Sequence, residues 1–222
     1  MVLKLALGGL AALVSFGLVR WQLAGRFVEE PAYEVERDDG GFEVRRYGPT
    51  VLAETVVEAE SSASAVNTGF RRLAGYIFGN NTRSEKLAMT APVTQSLSSG
   101  ETLAMTAPVT QSAEGAGRWR VTFTLPKGRT VADLPVPVDG SVSLRAVGAR
   151  RVAVLRYSGT TPPERVTEQE RALREALASA GLSPRSEAVS ARYDPPSVLP
   201  FLRRNEVWLE LAETPGPGRA DP

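Results

Sequence analysis

Short segments in which apolar and polar residues alternate recur along the chain, and this pattern is typical of half-buried β-strands. The first two, residues 32–36 and 42–47, flank Asp38-Asp39-Gly40-Gly41 and predict a β-hairpin. Further strands are predicted at residues 51–59, 119–125, 142–147, 151–157, 187–193 and 206–211. The pattern therefore predicts a sheet of about eight antiparallel strands.

Two segments show the 3.6-residue period of amphipathic helices. The apolar face of the first consists of Val66, Phe70, Leu73, Ala74 and Ile77, with Ser61 or Ser62 as the N-cap. The second begins at Thr161, where Pro162 takes the first helical position and Glu164 completes a capping box. Its inner face consists of Val166, Leu173, Leu177 and Ala180, and Gly181 ends it.

Two internal repeats accompany these elements. Residues 42–57 align with residues 142–157 at an offset of 100, and each segment reads as a hairpin followed by a helix and two strands. Unless this similarity is chance, it predicts a pseudo-twofold pair of ββαββ units, forming an α+β curved sheet or open barrel with the helices outside. The decapeptide LAMTAPVTQS occurs at 87–96 and again at 103–112. Its proline favours a sheet edge, a bulge or a pocket rim, although a local duplication that lengthens a hairpin is the alternative.

The N-terminal segment differs from the rest. Residues 5–19 are uncharged, with Lys4 before them and Arg20 after them. Residues 1–26 are expected to be a membrane anchor, with a cleaved secretory signal and a buried core helix as alternatives. We expect one domain at residues 27–211, outside the cytoplasm, and a disordered tail at 212–222.

The amino-acid composition limits the kinds of catalytic and metal site that the chain can form. The 222 residues include no cysteine and no histidine, which excludes disulfides, thiol nucleophiles, Ser-His-Asp triads and ordinary zinc sites. The first 26 residues carry three basic and no acidic residues, which leaves 23 basic against 25 acidic residues in the remainder. A near-neutral body without a basic run argues against nucleic acid as a partner.

Several motifs together carry a resemblance. They are FRRLAGYIFGNN at 70–81, EKLAMTAPVTQS at 85–96, ARRVAVLRYSG at 149–159 and ARYDPPSVLPFLRRNEVWLEL at 191–211. With the opening PAYEVE and FEVRRY segments they resemble the SOUL haem-binding protein family over residues 29–211. The resemblance implies a distorted eight-stranded β-barrel with two flanking helices. It extends to the effector-binding domains of some bacterial transcription regulators.

The resemblance also implies binding of haem or another tetrapyrrole. Without histidine, the chain is similar to members that hold haem in an apolar groove beside the first helix, with a basic residue at the propionates. The matching positions are Val66, Phe70, Leu73 and Ile77 for the groove, and Arg71 or Arg72 for the propionates. Core packing and a solvated helix face are the alternatives for these two sets. Met89 and Met105 could offer a thioether to haem iron or simply fill gaps in the core.

Three functions are compatible with these residues. The first is a non-enzymatic tetrapyrrole carrier or buffer, anchored to a membrane or exported. The second is a carboxylate-based enzyme, because Glu206, Trp208 and Glu210 alternate on one strand face and Glu54 lies on a central strand. A carboxylate beside an indole in a cleft is expected to have a raised pKa, unless that face is exposed to solvent. The third is a tethered interaction domain without a ligand.

Overall fold

The computed structural model describes residues 29–97 and 117–212. The expected anchor at 1–26, the second decapeptide with Met105, and residues 213–222 of the expected tail lie outside this part of the chain. Within the described residues, none of the helices combines the length and apolarity that crossing a bilayer requires.

Nine antiparallel strands form one curled sheet, in the order β1-β2-β7-β9-β8-β4-β5-β3-β6. The strands are β1 Tyr33–Asp38, β2 Glu43–Tyr47, β3 Thr50–Glu58, β4 Val93–Leu97, β5 Arg118–Thr124, β6 Val142–Val147, β7 Arg150–Tyr157, β8 Val189–Arg192 and β9 Asn205–Leu211. Helix α1 spans Ser62–Ile77 and α2 spans Pro163–Ser179. The predicted α+β fold with two helices is confirmed, and the strand that the hydrophobic pattern missed is β4.

The pseudo-twofold repeat is confirmed by the strand register. Strands β2 and β7 pair Glu43 with Val154, and strands β3 and β6 pair Glu54 with Ser143. Glu43 and Ser143 are 100 positions apart, and so are Glu54 and Val154, so the two pairs occupy equivalent positions in the repeat. When β2 is exchanged with β6, β3 with β7, β4 with β8 and β5 with β9, the strand order reads the same in reverse. Strand β1 lies outside this symmetry.

The first strands of each unit do not form the expected hairpins. Strand β2 pairs with β7 and β3 pairs with β6, so each strand finds its partner in the other unit. Only Gly48 and Pro49 separate β2 from β3, and a proline at the second loop position cannot adopt the positive φ of a type I′ turn. The chain changes direction there without forming a hairpin, and the cross-pairs β2–β7 and β3–β6 join the two units in one sheet. The hairpin predicted between β1 and β2 does form, with Gly40 at φ +75°.

Both helices cover the same face of the sheet. Helix α1 packs on β3 and β5, and α2 packs on β7 and β9. Leu73 and Ile77 of α1 join one core cluster, whereas Leu173 and Leu177 of α2 join another. Helix α1 lies close against the sheet at Gly69, where an added Cβ would lie 2.6 Å from the Cβ of Val121.

The predicted caps of the two helices are confirmed in part. The Ser61 hydroxyl accepts a hydrogen bond from the Ser64 amide, as expected of the N-cap of α1. The capping box at Thr161 is absent, because Pro162 is the N-cap and forms no side-chain cap bond. A residue that precedes proline avoids the helical region, so the second proline, Pro163, delays the start of α2 by one residue. Gly181 ends α2 at φ +71°, as predicted.

The first LAMTAPVTQS copy does not supply an edge strand. Its second half forms β4, which pairs with β5 on one side and β8 on the other. Pro92 precedes β4 and therefore removes no donor from either ladder.

Candidate functional site

One edge of α1 carries apolar side chains that the core leaves partly uncovered. Val66 and Phe70 lie one turn apart, and Phe70 is 37% exposed. The Phe70 ring meets the Phe123 ring edge-on at 5.3 Å between centroids, and the half-buried Val93 lies opposite Phe123 in the sheet. We call Val66, Phe70 and Val93 the apolar strip. It offers a surface on which a flat apolar ligand could lie.

The other apolar residues predicted for the groove belong to the interior. Leu73 is 0% exposed and Ile77 is 1% exposed, and both pack among the residues of the first core cluster. Met89 is partly buried against the same cluster, in the position of a side chain that fills a gap. A ligand on the apolar strip would reach neither Leu73 nor Ile77 unless the core opened.

The two arginines predicted to meet the propionates have different environments. Arg71 is exposed, whereas Arg72 donates from Nη1 to the Thr55 hydroxyl at 3.3 Å and to the Val56 carbonyl at 3.2 Å. Both border a shallow depression with Asp139, whose pKa is lowered by hydrogen bonds from Ser141 and by the Arg72 charge. Two helical positions amount to a rotation of about 200°, so Arg72 and Phe70 lie on opposite edges of α1. The structure does not bring Arg72 to the apolar strip.

The donor set lacks the strongest protein ligands of haem iron. The chain has no histidine or cysteine, and the described residues contain no group of three or more acidic side chains that could hold a metal ion. Met89 is the one predicted thioether within the described part, and it packs against the core.

A second constellation, which the sequence indicated only in part, centres on Glu206 of β9. Its carboxylate is completely buried on the sheet face opposite the helices. It accepts hydrogen bonds from Arg45 at 3.1 Å, Arg204 at 2.8 Å, Tyr193 at 2.7 Å and the Trp208 indole at 2.7 Å. We call these five residues the Glu206 network. Only Glu206 and Trp208 could be singled out from sequence, because the other three come from distant or irregular positions.

The network overturns the expectation of a general base. Burial acts to raise the pKa of Glu206, but the charges of Arg45 and Arg204 outweigh it and hold the pKa below the ordinary value. The alternative, that this face is exposed to solvent, is also wrong for Glu206 and Trp208. Glu210 instead pairs with Arg150 at 3.1 Å, and Glu54 pairs with Arg145 at 2.9 Å. A carboxylate held ionised by two guanidinium groups is a structural anchor and a poor proton acceptor.

Stability is expected to depend on this carboxylate at low pH. Because the folded-state pKa of Glu206 lies below its ordinary value of 4.5, the carboxylate contributes stability above that pH. The contribution is lost as the pH falls through the folded-state pKa. Urea unfolding of the natural chain and of Glu206→Gln between pH 7 and pH 3 would measure it. The natural chain should lose more unfolding free energy below about pH 4 than the variant, and parallel pH profiles would contradict the assignment.

Comparisons with known proteins agree with this architecture. The family model described as SOUL heme-binding protein matches residues 28–210. Heme-binding protein 2 of Homo sapiens is 29% identical over 191 residues, covering 84% of this chain and 87% of the relative. Heme-binding protein 1 of Xenopus laevis is 26% identical over 198 residues, covering 87% and 97% of the two chains.

Solved structures share the fold at low sequence identity. The crystal structure of the EcmrR C-terminal domain superposes with a TM-score of 0.57 at 8% identity, covering 82% of this chain and 99% of that domain. An uncharacterized conserved protein from Listeria innocua gives a TM-score of 0.50 at 10% identity, with 87% and 98% covered. The family model spans nearly the whole described domain, and the chain belongs to the SOUL haem-binding protein family.

Proposed function

We propose that this protein binds haem or another tetrapyrrole on the apolar strip of α1 and acts as a carrier or buffer rather than an enzyme. The observation that carries the proposal is Phe70, a large aromatic side chain left 37% exposed beside the half-buried Val66. The names of the relatives, heme-binding proteins 1 and 2, support the ligand class. The ionised, fully engaged Glu206 argues against the carboxylate-based enzyme.

Binding of this kind needs no bond from the protein to iron. Burying one porphyrin face removes several hundred Å² of apolar surface, and at about 25 cal/mol per Å² the gross gain is large before association costs. Haem, when bound, would supply a redox-active iron centre. The residues of this chain would supply a flat apolar contact. The exposed Arg71, about 100° around α1 from Phe70, would be the nearer of the two arginines for a propionate. Arg72 is engaged with β3 and would serve the packing of α1 instead.

Titration with haem and with metal-free protoporphyrin IX tests the proposal. We expect the two affinities to agree within about threefold, because apolar burial contributes most of the binding free energy. Phe70→Glu should weaken both about tenfold or more, since it places a charge on the apolar surface. Phe78→Glu is the matched control, because Phe78 is 60% exposed just beyond the end of α1 and outside the strip.

Two results would oppose this scheme. A preference for haem of more than about a hundredfold, with a low-spin six-coordinate spectrum, would show that a side chain ligates the iron. Met89 and Met105 would then be the first residues to substitute. Equal weakening by Phe70→Glu and Phe78→Glu would place the ligand elsewhere.

The tether is proposed separately from the binding site. Residues 1–26, with the uncharged run at 5–19, would anchor the domain to a membrane and place it outside the cytoplasm. We expect the full-length chain to sediment with membranes and to require detergent for release, whereas a chain beginning at Val28 should stay in the supernatant. A full-length chain that is soluble without detergent and retains its N-terminus would rule the tether out.

A further inference from the structure

Three buried polar groups on the helix-bearing face of the sheet lack hydrogen-bond partners among the described residues. Tyr157 at the end of β7 and Ser190 on β8 are each 8% exposed, yet neither hydroxyl forms a hydrogen bond within the described residues. The Nε atom of the half-buried Arg192 is likewise buried and without a partner there. Buried donors are normally satisfied, so three unpaired donors in one region form a place where an acceptor group would fit.

The register places the three groups together. Asn205 of β9 pairs with Tyr157 on one side and with Arg192 on the other. Tyr157 and Arg192 therefore lie in one row across the sheet, with Asn205 between them. Ser190 lies two residues before Arg192 and therefore points to the same face. That face is the one that α2 covers, because Tyr157 packs in the same cluster as Leu173.

The charges around this row are positive. Burial raises the pKa of Tyr157, and the Ser190 hydroxyl and the charges of Arg192 and Arg165 oppose that rise. The two hydroxyls nevertheless do not reach hydrogen-bond geometry. Among the described residues Arg192 has no ion pair, whereas Arg165 in the first turn of α2 approaches Glu168 only at 3.9 Å. The site therefore combines donors and cations with no carboxylate bound to them at close range.

An open depression at the end of β7 has Tyr157 in its wall. Its volume is about 450 Å³, and it is lined by Arg156, Tyr157, Ser158, Phe201, Leu202 and Arg203. Arg203 is held by the carbonyls of Val198 and Pro196, so its guanidinium is fixed in place at the rim. Phe201 is 70% exposed, which leaves an aromatic surface beside the cationic one.

We propose that Tyr157, Ser190 and Arg192 form a binding site for a phosphate or sulfate group, either as the free ion or as part of an organic molecule. A tetrahedral oxyanion offers several acceptors at once, and hydroxyl and guanidinium donors suit it. Water could satisfy the two hydroxyls, but it would leave the charge of Arg192 unpaired. A cationic ligand would add repulsion from Arg192 and Arg165.

Thermal unfolding of the full chain in increasing inorganic phosphate, at constant ionic strength set by sodium chloride, tests this site. We expect the Tm to rise and saturate, because a ligand that binds only the folded state stabilises it. Arg192→Gln should weaken the apparent affinity about tenfold or more, since it removes a charged donor. Tyr157→Phe should weaken it severalfold. Arg37→Gln removes an exposed charge from the edge strand β1 and should leave the response unchanged.

Phenyl phosphate as a second probe separates the two sources of the anion. Tighter binding than inorganic phosphate would indicate an organic ligand whose ring meets Phe201, and equal binding would indicate the free ion. A Tm that follows ionic strength alone, or an Arg192→Gln chain that keeps the full phosphate response, would overturn the proposal. If Arg192→Gln fails to fold, Ser190→Ala gives the same comparison with a smaller expected loss.

Discussion

Replacing Glu206 with alanine should lower the free energy of unfolding by about 3–5 kcal/mol, because it removes one partner of a buried ion pair and leaves the other charge behind. Arg45 is 2% exposed, and among the described residues it would keep only the partly exposed Glu43 at 2.6 Å as a counter-ion. The phenol of Tyr193 and the indole of Trp208 would lose their acceptor as well. Urea denaturation at pH 7 measures the change.

Glu210→Ala is the matched control for this substitution. Glu210 lies on the same strand and the same face, but its side chain is 30% exposed in its ion pair with Arg150. Partly exposed pairs contribute little, so the loss should be about 1 kcal/mol or less. Similar losses in Glu206→Ala and Glu210→Ala would show that burial of the Glu206 network adds nothing to its strength.

Leu73→Ala should destabilise the domain by about 2–5 kcal/mol, because it opens a cavity at a completely buried position of α1. Porphyrin binding by the remaining folded protein should change little. Phe70→Ala should do the reverse, with a small loss of stability and a clear loss of porphyrin affinity. Urea unfolding and porphyrin titration of both variants make the comparison.

The opposite outcome would change which residues of α1 are assigned to the porphyrin site. If Leu73→Ala weakened porphyrin binding at full stability, the ligand would enter between α1 and the sheet. The groove would then include Leu73 and Ile77, as the family resemblance implied.

Much of the fold could be predicted from sequence, because it depends on local periodicity and on the internal repeat. The alternating pattern located eight strands, and the offset of 100 residues indicated the symmetry that the register shows. Strand β4 was missed because its sequence, VTQSL, is largely polar and follows a proline. Its position depends on pairing with β5 and β8, which lie more than twenty residues away in the chain.

The candidate site was less predictable for a related reason. Helical spacing identifies Val66, Phe70, Leu73 and Ile77 as one face, but it does not say which of them the sheet covers. The difference between Leu73 and Phe70 arises where α1 meets β5. Likewise, the acid and the indole of the Glu206 network are two residues apart, whereas Arg45 is 161 positions from Glu206. A single sequence offers no signal for such a contact.

The pairing of β2 with β7 and of β3 with β6 has a consequence for folding. Each of these strands must find a partner about a hundred residues away in the chain, so neither ββαββ unit can complete its own sheet. During synthesis, β2 and β3 leave the ribosome long before β6 and β7 exist. One edge of each strand remains unpaired until then, although β1 and β5 can cover the other edges. We expect slow folding of the whole domain, since distant contacts delay the transition state. An isolated unit should dimerise or aggregate, because a second copy can supply the missing edge.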